Sequence, residues 1–210
     1  MTSVVDICNI ALSRIGNGQR IDSLDERSAQ AEQCGLFYEL TRDAVLRDFN
    51  WPFATKYQTL AQVATSPDAT GMYNYAMPDD CLFARRLVND IWPAAYWPYR
   101  DHCYGLPQIP AVPFHVILGE SGRLISTSIT PANLEYTAKV EDSSLFDSQF
   151  VSALSWKLAV EISLTLAKEQ SVAQACEQQY QIILAAARAQ ALNESAPNRL
   201  PESSFITGRN

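Results

Sequence analysis

The sequence predicts an α+β chain: a four-helix bundle drawn from both chain ends, a β-rich insertion between helices two and three, and an extended C-terminal arm. Three observations carry that expectation. Apolar residues recur at helical spacing through residues 1–52 and again through 148–192. Between residues 53 and 140 the chain places eight of its eleven prolines, and short alternating runs replace the helical spacing. From residue 193 onward, Pro197 and Pro201 stand in a polar stretch with no periodic apolar stripe. Strands segregated from helices mean α+β, and helices from the two ends bury their stripes most simply against one another. The expected organisation is 1–52 and 148–192 as the bundle, 53–147 as the insertion and 193–210 as the arm.

Each element has its own signal. A first helix is expected over residues 3–15, capped by Thr2 or Ser3, with Asp6 in its first turn and Gly16 stopping it. Its stripe is Val4, Cys8, Ala11, Leu12 and Ile15. Ser23 and Glu26 read as a capping box that opens a second helix, running through Cys34, Phe37, Tyr38, Thr41, Val45 and Phe49 until Trp51-Pro52 ends it. Residues 114–118 and 123–128 flank Gly119-Glu120-Ser121-Gly122 as a hairpin. Residues 133–140 alternate with Leu134, Tyr136 and Ala138 on one side, and 56–63 and 81–88 are weaker strand signals. Residues 150–168 are apolar around most of a helical circumference, which predicts the central buried helix. Ser171 to Gln174 read as a second capping box, opening a last helix to residue 192 with Val172, Cys176, Tyr180, Ile183, Leu184, Ala187 and Ala191 on its stripe. Its other face is Gln and Ala with almost no charge.

Composition narrows the function classes. With 47% hydrophobic and 19% charged residues, the chain is expected to fold rather than remain disordered. The net charge of −7 removes the broad basic surface that nucleic-acid binding needs. Five cysteines without a CxxC spacing suggest neither a disulfide framework nor a zinc knuckle, and three of them lie on apolar helical stripes. That usage points to a reducing compartment. The N-terminus lacks the basic start and small-residue cleavage site of a signal peptide, so an intracellular protein is expected. The most apolar stretch, 150–167, is interrupted by Lys157 and Glu161, so no membrane span is expected.

Catalytic chemistry finds little to stand on. His102, Cys103 and His115 have the types for three zinc ligands, but they lie on opposite sides of a proline-rich loop, which favours surface histidines and a buried thiol. Gly119-Glu120-Ser121-Gly122 is one residue short of GxSxG and has no following helix, so a turn explains it better than a nucleophile elbow. No GxGxxG or P-loop pattern occurs among the eight glycines. Carboxylate pairs are the most persistent enzyme reading, since glycoside hydrolysis needs only two acids at a suitable separation. Asp79-Asp80, Glu141-Asp142 and the group Asp22, Asp25 and Glu26 qualify by type. Each also fits a turn, a strand end or a helix start. Trp92, Tyr96, Trp97, Tyr99 and Tyr104 crowd a proline-rich stretch beside the single Arg100, too few cations for a base-stacking platform. A protein-contact loop and a small satellite core remain equally open there.

A further pattern runs across the chain. Asn9, Ala11-Leu12, Ile15-Gly16, Ile21-Asp22-Ser23-Leu24-Asp25-Glu26, Ala31, Cys34, Tyr38, Arg42, Leu46 and Trp51-Pro52-Phe53-Ala54 stand in order. Tyr75-Ala76-Met77-Pro78-Asp79-Asp80 and the apolar stretch 150–167 follow. The set resembles the tail tubular and head-to-tail adaptor proteins of tailed bacteriophages, with their N-x-A-L, I-G, I-x-S-L-x-E and W-x-F-A series, over about two-thirds of the chain. Residues 89–113 have no counterpart in that pattern. The resemblance implies a helical bundle with a β insertion, set in a virion as a ring of about twelve copies beneath the portal. It implies no cofactor, DNA only as passing cargo, and downstream tail proteins as further partners. It also favours a C-terminal arm that reaches the portal, with Phe205 and Ile206 as apolar anchors and Arg199, Leu200 and Arg209 as further contact residues, over a tail that folds back on its own bundle. The expectation is a non-enzymatic connector made in the host cytoplasm. The rivals are a virion peptidoglycan hydrolase using a carboxylate pair, and a bacterial adaptor that docks helices.

Overall fold

The computed structural model describes residues 2–64, 66–88, 112–120 and 122–194, the last four by backbone alone. Helix α1 spans Val4–Arg14 and α2 spans Ala29–Asp48. A single 3-10 turn, Pro52–Ala54, leads into strands β1 (Thr55–Thr59), β2 (Tyr73–Ala76), β3 (Cys81–Val88), β4 (Phe114–Gly119), β5 (Gly122–Thr127) and β6 (Asn133–Ala138). Helices α3 (Ser148–Leu166) and α4 (Gln170–Glu194) close the described chain.

The helices do not form the expected four-helix bundle. Helix α3 is the hub: α1, α2 and α4 each pack along it, while α1 and α2 meet only marginally. The cause is in the chain itself. With 11 residues, α1 is too short to run the length of its neighbours, and α2 spends part of its surface on β3. The fold is mixed α+β, with helices grouped around α3 and two antiparallel sheets beside them. Helix α3 suits the hub because Phe150, Ala153, Leu154, Leu158, Ala159 and Ile162 are buried around it. The buried Ser155 and Ser163 hydroxyls return to the carbonyls of Val151 and Val160, at 2.6 and 2.7 Å, so neither is left unsatisfied.

Helix starts show which caps the chain uses. Ser3 caps α1 as expected, accepting from the Asp6 amide while the Asp6 carboxylate accepts from the Ser3 amide. For α2 the expected box at Ser23 is not used. Ser28 is the N-cap, its hydroxyl accepting from the Ala31 amide at 3.1 Å. Glu26 instead accepts from the Ser28 hydroxyl and the Asp22 amide, fixing the loop that leads in. Ser171 likewise lies inside α4, which already begins at Gln170.

The first sheet has the order β1-β6-β3 and the second β2-β5-β4, all antiparallel. The β4–β5 hairpin pairs Gly119 with Gly122, where Gly122 adopts φ +129°, a backbone that other residues resist. Strand β6 is buried along its length and therefore has two working faces. Leu134, Tyr136 and Ala138 enter a core shared with Tyr75 and Ile125 of the second sheet. Glu135 and Thr137 turn to the other side, where they meet Asn50, Arg86 and Arg85. Strand β2, which no local signal in the sequence had marked, is held on its outer side by the amide of Val63 donating to Asn74 and that of Ala76 donating to Ala61. Arg123 ties the two sheets by donating to the Cys81 carbonyl at 2.8 Å.

Candidate partner-binding surfaces

The expected arm residues Arg199, Leu200, Phe205, Ile206 and Arg209 lie outside the described residues, as do Trp92 to Tyr104 with His102 and Cys103. Among the described residues, no three metal-binding side chains come together.

Four of the candidate carboxylates hold structural contacts. Asp80 accepts from Lys56 at 2.6 Å and from the Tyr136 hydroxyl at 3.0 Å. Burial works to raise its carboxyl pKa, but those two hydrogen bonds outweigh it and hold the group below its ordinary value. Glu141 pairs with Lys139 at 2.6 Å, and Asp142 caps the amide of Ser144 at 2.9 Å. Glu26 is held low by its hydrogen bonds from Ser28 and Asp22. These contacts give Asp80, Glu141, Asp142 and Glu26 a structural role.

What the described surface does offer is apolar. Leu36 and Leu40 stand one turn apart on the outward side of α2, 60% and 68% exposed. Ile182, 59% exposed, is set among Gln178, Gln179, Gln181, Ala185 and Ala186 on α4. On β4, Val116, Ile117 and Leu118 form an exposed run, with Leu118 at 84%. No charged residue occurs in β4. Among the described residues, β4 pairs with β5 alone, so its outer edge offers unpaired backbone groups beside an apolar surface.

A groove of about 300 Å³ lies between the segment that follows α2, the start of α3 and the later turns of α4. It is lined by Phe49, Trp51, Pro52 and Phe53, by Asp147, Ser148 and Gln149 at the start of α3, and by Ala187 and Gln190 of α4. Helix α2 ends at Asp48 with Phe49 extended, and the Trp51-Pro52 turn that follows sets Trp51 and Phe53 on Phe150 of α3 with Phe49 against Trp51. Trp51 meets Phe49 edge-on at 5.0 Å and Phe150 at 5.2 Å, and Phe53 packs on Phe150 at 5.0 Å. The buried Trp51 indole donates to the Val45 carbonyl at 2.9 Å. Gln149 donates to Gln190 across the groove, and Arg188 donates to the Asp48 carbonyl at 3.3 Å, fixing α4 beside it.

Sequence reasoning missed most of this surface. Leu36 and Leu40 do carry a signal, since two leucines at i and i+4 off the buried stripe have no core to enter. Val116-Ile117-Leu118 carry one too, as an uncharged run at the end of a hairpin. The groove had no local signal, because its walls come from three distant stretches.

No protein-family model matches the chain, and no curated protein matches its sequence. Among the described residues, no helix is long and apolar enough to cross a membrane.

Proposed function

We propose that the chain is a structural connector of a tailed phage. It forms a ring with its own copies under the portal, extends the DNA channel and receives tail proteins below. The observation that carries the reading is the ordered motif set from Asn9 to Ala54, whose members hold up this architecture. Asn9 clamps Ile21 through both its amide atoms, at 2.9 Å each, and Trp51 and Ala54 are buried at the junction of helices and sheets. Further support comes from large apolar side chains left open on α2, α4 and β4, three separate elements suited to several neighbours at once. A net charge of −7 per copy suits a channel wall that must let duplex DNA pass.

Electron microscopy of the protein with and without portal-bearing capsids tests the reading. A ring at the portal vertex is expected, and its absence at saturating protein would overturn the proposal. The double substitution Phe205→Ala with Ile206→Ala should abolish attachment, and normal attachment would remove the arm from the reading. For the hydrolase rival, clearing in a cell-wall zymogram that disappears on substituting one acid would replace this proposal.

A further inference from the structure

We infer that α2 and α4 are the two sides of one self-contact: the leucine ridge of α2 docks on the outward face of α4 in a second copy of the chain. The inference names the contact inside the proposed ring and rests on that reading for the ring's closure.

The two faces begin as local facts of sequence. Leu36 and Leu40 make an i, i+4 ridge on α2, both exposed, and Ala44 continues it with a small exposed side chain. Gly35 stands beside Leu36 in mid-helix, where glycine weakens a helix. A Cβ placed there would touch nothing in the chain, so no contact of the fold requires a glycine. The bare backbone leaves room for a neighbouring helix instead. On α4, Ala175, Gln178, Ile182, Ala185, Ala186 and Ala189 share the outward face. Every exposed residue from Ser171 to Ala186 is uncharged. The small side chains around Ile182 leave shallow grooves, the form into which a leucine ridge packs.

Placement makes the contact intermolecular. Helices α2 and α4 both pack along α3, and they meet each other through Tyr180 and Arg188 at Asp48, the end of α2. Leu36, Leu40 and Ile182 all face away from the shared helix, so the α2 ridge does not reach the α4 face of its own chain. Two different faces that fit one another join copies head to tail, and such a contact closes into a ring when the rotation between copies allows.

Charge selects the pairing. Glu32 and Glu39 are exposed along one side of the leucine ridge. Docking α2 on α2 in a two-fold pair would set these acids near their own copies, whereas the α4 face brings no charge against them. The paired area is small, so the contact holds weakly in solution and strengthens where many copies are gathered in one place.

Thiol cross-linking of the full chain tests the inference, in a Cys103→Ser background whose described cysteines are all buried. Leu40→Cys protein mixed with Ile182→Cys protein is treated with a bis-maleimide, each thiol adding across one maleimide double bond with nothing released. The mixture should give a covalent heterodimer at high protein concentration, and the chain carrying both substitutions a ladder above the dimer. Cross-linking of Leu40→Cys protein to itself would show a two-fold α2 contact and overturn the inference. So would capture of Leu40→Cys protein by Leu118→Cys protein in preference to Ile182→Cys protein, which would move the seat to β4. Charge gives a second readout. Gln178→Lys with Ala186→Lys should raise the yield by bringing cations to Glu32 and Glu39, and Gln178→Glu with Ala186→Glu should abolish it; equal yields would count against the docking. The chain carrying both cysteine substitutions is then assembled on portal-bearing capsids. Rings there without the cross-link overturn this inference and leave the connector reading standing. Cross-linked ladders in solution with no ring at the portal do the reverse, and neither ladder nor ring overturns both.

Discussion

The guanidinium of Arg85, on β3, donates to the carbonyl of Phe49 at 2.9 Å, just past the C-terminus of α2. The same Nη2 lies 3.0 Å from the Arg47 carbonyl, and Nε donates to the Thr137 hydroxyl at 2.8 Å. A sheet side chain thus caps a helix whose last carbonyls have no partner within the helix, and its charge complements the negative end of the helix dipole. Arg85 is the bolt between the helical layer and the first sheet.

Arg85→Ala should therefore lower unfolding free energy by about 2 kcal/mol, the range for charge-assisted hydrogen bonds between partly buried groups. Arg85→Lys should recover little, because one ammonium cannot span the Thr137 hydroxyl and the α2 carbonyls together. Urea denaturation of the three proteins checks this. A lysine variant as stable as the parent would reduce Arg85 to a simple charge.

Trp51 separates ring packing from hydrogen bonding. Trp51→Phe keeps an aromatic ring against Phe150 but leaves the buried Val45 carbonyl without its indole donor, at a cost of about 1–3 kcal/mol. Trp51→Ala removes the ring as well and should cost about 3–5 kcal/mol. The difference between the two variants in thermal or chemical unfolding measures the packing share, and equal losses would show that packing adds nothing.

Asp68 sets a pH dependence with a definite sign. Hydrogen bonds from the Thr70 hydroxyl, the Asn74 amide and the backbone amides of Met72 and Thr70 draw its pKa down to about 2. A carboxyl depressed in the folded chain stabilises the turn above its unfolded pKa of about 3.9, and that contribution is lost as pH falls through the folded value. The side-chain carboxyl resonance of Asp68 should titrate near 2. A midpoint near 4 would mean that the turn does not hold the carboxylate in solution.

Leu36 and Leu40 distinguish folding from assembly. Both are exposed, so Leu36→Glu with Leu40→Glu should change unfolding free energy by no more than about 0.5 kcal/mol. If α2 meets a neighbour in the proposed ring, the same protein should fail to complete rings on portal-bearing capsids. Light scattering of the unaltered protein at micromolar concentration should show a monomer or only weak association, because the exposed apolar side chains of α2, α4 and β4 are split into small separate patches, each well short of the roughly 800 Å² per partner of a stable interface. A stable ring in the absence of portal would contradict that expectation.

The parts of the fold legible in the sequence are those whose cause is local. Gly119 and Gly122 bracket the hairpin, the alternation of Leu134, Tyr136 and Ala138 marks β6, and Ser3 with Asp6 starts α1. The start of α2 was misplaced because two serines precede it, and Ser23 has the better local box. The chain instead uses Glu26 to hold Ser28, which only the folded loop shows. The hub arrangement was hidden because the apolar circumference of α3 says that the helix is buried, not which partners bury it. The groove was hidden for a related reason: Phe49, Ser148 and Ala187 come together only once three separate stretches have packed.

The hub has a consequence for synthesis. Arg14 of α1 donates to the Ser152 carbonyl of α3 at 2.9 Å, across 138 residues of sequence. On a ribosome, α1 and α2 emerge first and have each other only marginally; their true partner follows both sheets. Until α3 is made, Ile7, Leu12, Val45 and Leu46 have no core to enter. The nascent chain therefore carries the apolar faces of α1 and α2 open through most of translation, and the helical core closes late, once residues 148–166 and then α4 have left the exit tunnel.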